Sequence, residues 1–147
     1  MPRFFAGRIP DDQWRDLLAY CLDHADAFVV HMPDSDGPLS HGRHEFRTLS
    51  GSTVSTWSGM AGAISISGEL TAAARDLFWR TEISLRSYDS GEKLWDYRLL
   101  RGGDEILSVG DFADLLVFMT DDDLTYLTAL GISTREWDAL EPRRSGM

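Results

Sequence analysis

The chain has little of what usually points to a chemistry. Cysteine occurs once, at Cys21, so no internal disulfide can form, and a reducing compartment, the cytoplasm, is the expected setting. Lysine also occurs once, at Lys93, against thirteen arginines. That bias fits G+C-rich coding and carries no mechanism. No apolar run approaches the ~18 residues that span a bilayer. The opening "MPRFFAGRIPDDQW" reaches Pro10, Asp11 and Asp12 before it has built the apolar core of a secretory signal. No membrane association is expected. A Gly-rich phosphate loop, a Gly-x-Ser-x-Gly elbow, a nucleotide fingerprint and a cysteine pair are all missing. The sequence gives catalysis little support, assigns no catalytic residue, and calls for no cofactor and no metal.

What is present is enough apolar material for one core. With 43% hydrophobic and 11% aromatic residues in 147, a single domain over residues 1–147 is expected without disulfides or metals. The net charge of −10 is unevenly placed: residues 104–141 hold ten acids against one base, Arg135. Four of those acids, Asp111, Asp121, Asp122 and Asp123, fall where helices are expected to start, and the helix dipole favours negative charge there. The others would add a negative field able to steer a cationic partner.

"PDDQWRDLLAYCLDHA" sets Trp14, Leu17, Leu18, Cys21 and Ala25 on one face of a helix that Asp11 or Asp12 can cap. The flanking "RFFAGRI" and "AFVVHM" read as strands. "PDSDGPLSHGRHE" reads as a loop, the longest irregular stretch and the expected mobile segment. Two hairpins follow, separated by a helix. In the first, a three-residue loop at Gly59-Met60-Ala61 sets Val54 opposite Ile66 and Thr56 opposite Ile64. In the second, a loop at Ser90-Gly91-Glu92 keeps charge off the apolar face by pairing Ile83 with Leu99, Leu85 with Tyr97 and Ser87 with Trp95. Arg86 then meets Asp96 and Asp89 meets Lys93 on the outer face, which Tyr88 and Arg98 share. Between the hairpins, Thr71 caps a helix that buries Ala74, Leu77 and Phe78.

The C-terminal third reads as helical. "SVGDFADLLVFM" gives Phe112, Leu115, Leu116 and Met119 at helical spacing. Thr120 with Asp123 caps a further helix through Leu124, Leu127 and Leu130. Gly131 suits the left-handed position that ends it, and Ser133 with Glu136 forms a capping box for a last helix burying Trp137 and Leu140. The expected fold is therefore α+β: a mostly antiparallel sheet built from hairpins and packed with helices, closing in an acidic helical hairpin.

That closing stretch, "TDDDLTYLTALGISTREWDALEP", has the outline of a DNA-reading helix-turn-helix. Its charges argue otherwise, because Arg135 stands against Glu136 and Asp138 and the first helix opens on three aspartates, so phosphate is repelled. A nucleic-acid partner is not expected. His41, His44 and Glu45 in "SHGRHEF" could place polar groups around a small ligand or, with further ligands, a metal. "MPDSDGPLSHGR" fails as a calcium loop, since Met32 and Arg43 would occupy its first and twelfth positions. Cys21, on the apolar face of the first helix, reads as core.

The reading these observations favour is a non-catalytic acidic module that binds and occludes a basic protein, in the manner of immunity proteins and antitoxins that neutralise cationic nuclease toxins. Asp121, Asp122, Asp123, Glu136 and Asp138 are the expected partner-facing residues. The alternative is a small-ligand or metal-binding protein, or a small enzyme, using the 33–45 loop with His41, His44 and Glu45. The sequence leaves the oligomeric state open.

Overall fold

The fold comes from a computed structural model that describes residues 3–6, 9–83, 93–112 and 114–140. In chain order these residues form β1 (Arg3–Phe5), α1 (Asp11–His24), β2 (Ala27–Pro33), α2 (Arg43–Arg47), β3 (Thr53–Trp57), β4 (Ala63–Glu69), α3 (Ala72–Glu82), β5 (Asp96–Arg101), β6 (Asp104–Gly110), β7 (Asp114–Phe118), α4 (Asp121–Ala129) and β8 (Asp138–Leu140). Single 3-10 turns lie at Pro38–Ser40 and Thr134–Glu136. The eight strands make one sheet in the order β3-β4-β2-β5-β6-β7-β1-β8. Every neighbouring pair is antiparallel, so the fold is a single α+β domain.

One face of the sheet carries the core. Phe28, Val30 and Met32 on β2, Ile64 and Ile66 on β4, Tyr97 and Leu99 on β5, and Leu115 and Val117 on β7 are all buried, and apart from Ala63 the alternate residues of the same strands are less so. The helices pack on this face. Phe46 of α2 and Phe78 of α3 pack with Phe28 and with each other, their ring centroids 4.9–5.7 Å apart, and Phe78 also meets Tyr97 at 5.3 Å. Such aromatic contacts add about 0.5–1.5 kcal/mol each beyond the area they bury.

α1 forms where the spacing predicts it, with Trp14, Leu17, Leu18 and Cys21 buried. It is not capped by an aspartate, because Pro10 takes the N-cap position and Asp11 and Asp12 enter the first turn. At its far end, Arg75 of α3 donates to the carbonyls of Leu22 (2.8 Å) and Ala25 (3.0 Å). This satisfies acceptors the helix leaves open and fixes α3 against α1. α3 starts as expected, with the Thr71 hydroxyl accepting from the Ala74 N–H.

The first hairpin has the expected register, Val54↔Ile66 and Thr56↔Ile64, and its ladder ends at Trp57↔Ala63. The second does not form as expected. Ile83 caps the C-terminus of α3, and Leu99 pairs instead with Phe28 and Leu107. Both sides of β5 are taken, by β2 and β6, which leaves no edge there for a strand from the preceding segment. The other residues of that expected pairing, Leu85, Arg86, Ser87, Tyr88, Asp89 and the loop Ser90-Gly91-Glu92, lie outside the described residues.

The stretch around Phe112–Met119 is a strand and not a helix. Leu115 and Val117 pair with Val109 and Leu107 on the buried face. A run of five apolar residues, Leu115 to Met119, satisfies a period of two as well as one of 3.6, so the available partner strand decides. Asp111 and Phe112 both take positive φ, 49° and 69°, making the reversal between β6 and β7.

The expected C-terminal helical hairpin does not form among the described residues. α4 is capped as expected by the Thr120–Asp123 box, and Gly131 is left-handed at φ 97°. Beyond it comes only the 3-10 turn Thr134–Glu136, with no side-chain cap from Ser133. Ser133 is engaged elsewhere: its N–H donates to Gln13 Oε1 at 3.0 Å, and its hydroxyl accepts from Gln13 Nε2 at 3.3 Å. β8 follows, pairing Ala139 with Phe4.

Candidate docking surface

Among the described residues, the second face of the sheet carries no helix. Direct cross-strand partners share a face, and one transverse row crosses all eight strands: Thr53, Ser67, Val29, Arg98, Ser108, Leu116, Phe5 and Asp138. The same parity places Glu69, Asp96, Glu105 and Asp114 on this face with Arg3, so it carries five acids with two arginines. Val29, Leu100, Leu116 and Phe118 are half-buried there, and Phe5 is exposed. Its apolar residues fall in two groups, Val29 with Leu100 on β2 and β5 and Leu116 and Phe118 with Phe5 on β7 and β1, and the acids Asp96 and Glu105 lie on the central strands β5 and β6.

Its most ordered part is built on His31. The next row places Ser55, Ser65, His31 and Asp96 side by side on β3, β4, β2 and β5. His31 Nδ1 lies 2.9 Å from Asp96 Oδ1 and 3.0 Å from the Arg98 guanidinium. The guanidinium also reaches Asp96 Oδ1 at 2.9 Å and Glu105 at 3.0 Å. One ring nitrogen cannot donate to Asp96 and accept from Arg98 together. Arg98 always donates, so the consistent arrangement has the Nδ1–H and the guanidinium both donating to Asp96. The Trp57 indole lies flat on the His31 ring, with centroids 4.2 Å apart and planes at 9°, and meets Trp95 near-perpendicularly at 6.2 Å. Gly59 permits this placement: a Cβ there would sit 2.3 Å from the Trp57 ring.

Ser65, His31 and Asp96 have the residue types of a nucleophilic triad, and His31 has the Asp96 contact that orients a base. A hydrogen bond from the Ser65 hydroxyl to His31 is not among the contacts of this row, and the ring is instead stacked on Trp57. The arrangement fixes a polar cluster on the face opposite the core.

The expected partner-facing acids divide. Asp121 and Asp122 are exposed in the first turn of α4. Glu136 and Asp138 line a cleft of about 220 Å³ with Phe5, Pro10, Gln13 and Trp137. They follow the C-terminal end of α4, whose nine residues extend roughly 13 Å. Asp123 is buried. Its carboxylate accepts from the Thr120 N–H at 2.8 Å and from the Tyr20 hydroxyl, and it lies 3.5 Å from Arg101. Burial pushes that carboxyl up, but the Tyr20 and Thr120 hydrogen bonds and the Arg101 charge outweigh it and hold the carboxyl below its usual range.

His41 follows the 3-10 turn, half-buried, and His44 and Glu45 are exposed on α2 after left-handed Gly42. Among the described residues, no three His, Cys, Asp or Glu side chains gather as metal ligands. Arg43 and Arg47 of the same helix pair with Asp36 and Asp34 at 2.7 and 3.1 Å. Asp96 and Arg98 do share an outer face, as expected. Lys93 does not join them: it is buried, with its ammonium donating to the Glu82 carbonyl at 3.0 Å. Cys21 is fully buried, and burial pushes its thiol well up. Among the described residues, no helix is long and apolar enough to cross a membrane.

Sequence reasoning missed Trp57, Glu105 and the His31–Asp96 pairing. The alternation in "AFVVHMP" offered one signal, since it sets His31 on the face opposite Val30 and Met32. Which strand lies beside β2 is not written in local periodicity. Comparison with known proteins finds no match to this chain among protein-family models, curated proteins or solved structures.

Proposed function

We propose that this protein is a non-catalytic, acidic protein-binding module that occludes a basic partner, the mode by which immunity proteins and antitoxins neutralise cationic nucleases. The observation that carries the reading is the sheet face that bears no helix among the described residues, where Phe5, Leu116 and Phe118 of β1 and β7 lie beside Asp114 and Asp138. Apolar and aromatic side chains flanked by acids suit a specific contact with a basic partner, and aromatic side chains supply much of the binding energy in such contacts. The net charge of −10 adds steering of a cationic partner. In this reading Asp121 and Asp122 contribute to the long-range field, and Glu136 and Asp138 stand at the margin of the contact.

Affinity capture from lysate of the native cells, at low salt and at ~0.5 M salt, tests the reading when the wild type is run beside two charge-reversed variants. The expected result is one basic protein, weakened by salt, lost by the D114K/D138K variant and kept by D121K/D122K. Loss with D121K/D122K alone would move the contact to α4. Equal retention by all three proteins at both salt concentrations, or no retained basic protein, would overturn the reading.

A further inference from the structure

The first strand of the sheet order, β3, is an open edge. Its residues Thr53–Trp57 pair with β4 on one side, and among the described residues no strand pairs with the other. Thr53 through Thr56 are exposed, Val54 at 40%. Proteins commonly block such an edge with a lysine, a proline, a bulge or an inward-pointing charge. β3 has none of these. Its residues are Thr, Val, Ser, Thr and Trp, four of them good strand formers, and its register with β4 runs without a shift. The edge also lies in the longest uncharged stretch of the chain, from Thr48 to Gly68, in a protein that is 26% charged.

We propose that β3 is a self-association edge, pairing antiparallel with β3 of a second copy about a twofold axis normal to the sheet. Charge selects the occupant. A basic partner is drawn to the acids, which this stretch lacks. A second copy carries the same net charge of −10, and two such molecules approach at least cost where neither presents charge. A twofold axis normal to the sheet keeps each residue on its own face, so paired residues must share a face. With Ser55 on the axis all five residues pair: Ser55 with its copy, Val54 with Thr56, and Thr53 with Trp57. The two sheets then continue as one. Five residues make a contact well below the ~1,600 Å² of a standard interface, so the association is weak.

Sedimentation equilibrium of the full chain, in a concentration series reaching about 1 mM, tests this. The expected result is a monomer–dimer equilibrium. S55K and S55E each place like charges directly opposite on the axis, and each weakens the dimer about fivefold or more. An equimolar mixture of the two regains it, because opposite charges then face each other. Ser55 is exposed, and circular dichroism with an unchanged Tm checks that both variants fold. A monomer at every concentration overturns the proposal, leaving the edge to a foreign strand. A dimer unaffected by either substitution overturns it as well, and a mixture that recovers nothing overturns the Ser55 register.

Discussion

His31 and Asp96 stand directly opposite one another on neighbouring strands, joined from Nδ1 to Oδ1 at 2.9 Å. Because Asp96 accepts this bond while also receiving Arg98, the neutral imidazole carries its proton on Nδ1, leaving Nε2 as the acceptor. Nitrogen-detected NMR of the neutral ring should find that tautomer, and D96A should release it to the Nε2–H form. An Nε2–H imidazole in the wild type would mean that Arg98, and not Asp96, sets the ring.

Gly59 and Trp57 make the second test of the same cluster. A methyl group at position 59 meets the ring atoms at 2.3–2.9 Å, closer than van der Waals contact allows, so G59A must swing the indole aside. The displaced atoms belong to a side chain at the end of an edge strand, so the stability cost should be small, about 1 kcal/mol or less. The marked effect should be loss of the Trp57 ring-current shift on the His31 protons. An unshifted His31 spectrum in G59A would show that the stacking does not depend on Gly59.

Glu82 gives the fold a pH dependence of known sign. Burial raises its carboxyl from 4.5 to about 7, and the Leu94 N–H, the Lys93 charge and the Tyr97 and Thr81 hydroxyls offset this only in part. The folded protein therefore holds the proton more tightly than the unfolded chain. The associated stability is fully present below about pH 4.5 and is lost as pH rises through about 7, a difference of about 3 kcal/mol. E82Q keeps an oxygen for the Leu94 N–H, which lies 3.0 Å away, and carries no charge at any pH. Urea unfolding from pH 4.5 to 8 should find a falling limb in the wild type that E82Q flattens. Parallel pH profiles for the two proteins would contradict the assignment.

How much of this was legible in the sequence depends on whether a signal was local. α1, α3 and α4 announce themselves through apolar spacing, and for α3 and α4 a threonine cap completes the signal. The β3–β4 register follows from keeping Ile64 and Ile66 on one face. Leu115–Met119 misleads because five consecutive apolar residues fit either period, and only the presence of β6 and β1 alongside makes Leu115–Phe118 part of a strand. Ser133 misleads for a related reason: it could have capped a helix, but Gln13, 120 positions away, takes its groups. The cluster on the face opposite the core was the least legible, because it is defined by strand order. Asp96 and Arg98 become neighbours of His31 only after β5 inserts beside β2, and Trp57 reaches it only across β4.

Cys21 supplies a probe of global opening. It is fully buried and its thiol is pushed up by that burial, so the reactive thiolate is scarce and inaccessible in the folded state. Labelling by a thiol reagent at pH 8 should be slow in the native protein and should rise with denaturant in step with circular dichroism. Rapid stoichiometric labelling of the native protein would mean that α1 opens locally.

Asp123 differs from the exposed acids beside it in being buried. Its neighbours Asp121 and Asp122 are exposed and act on α4 mainly through the helix dipole, worth about 0.3–1 kcal/mol each. Asp123 closes the capping box and receives the Tyr20 hydroxyl, so D123A should cost about 1–3 kcal/mol in stability. Its carboxyl is held below the ordinary value of 3.8, so the stability it contributes is present above that value and is lost as pH falls through the folded one. D123N should therefore unfold less steeply than the wild type on the acid side, while being less stable at neutral pH. D121N and D122N should leave stability almost unchanged and slow association with a basic partner at low salt. If D123N alone slowed that association with its fold and stability intact, Asp123 would belong to the binding surface and the inward assignment would fail.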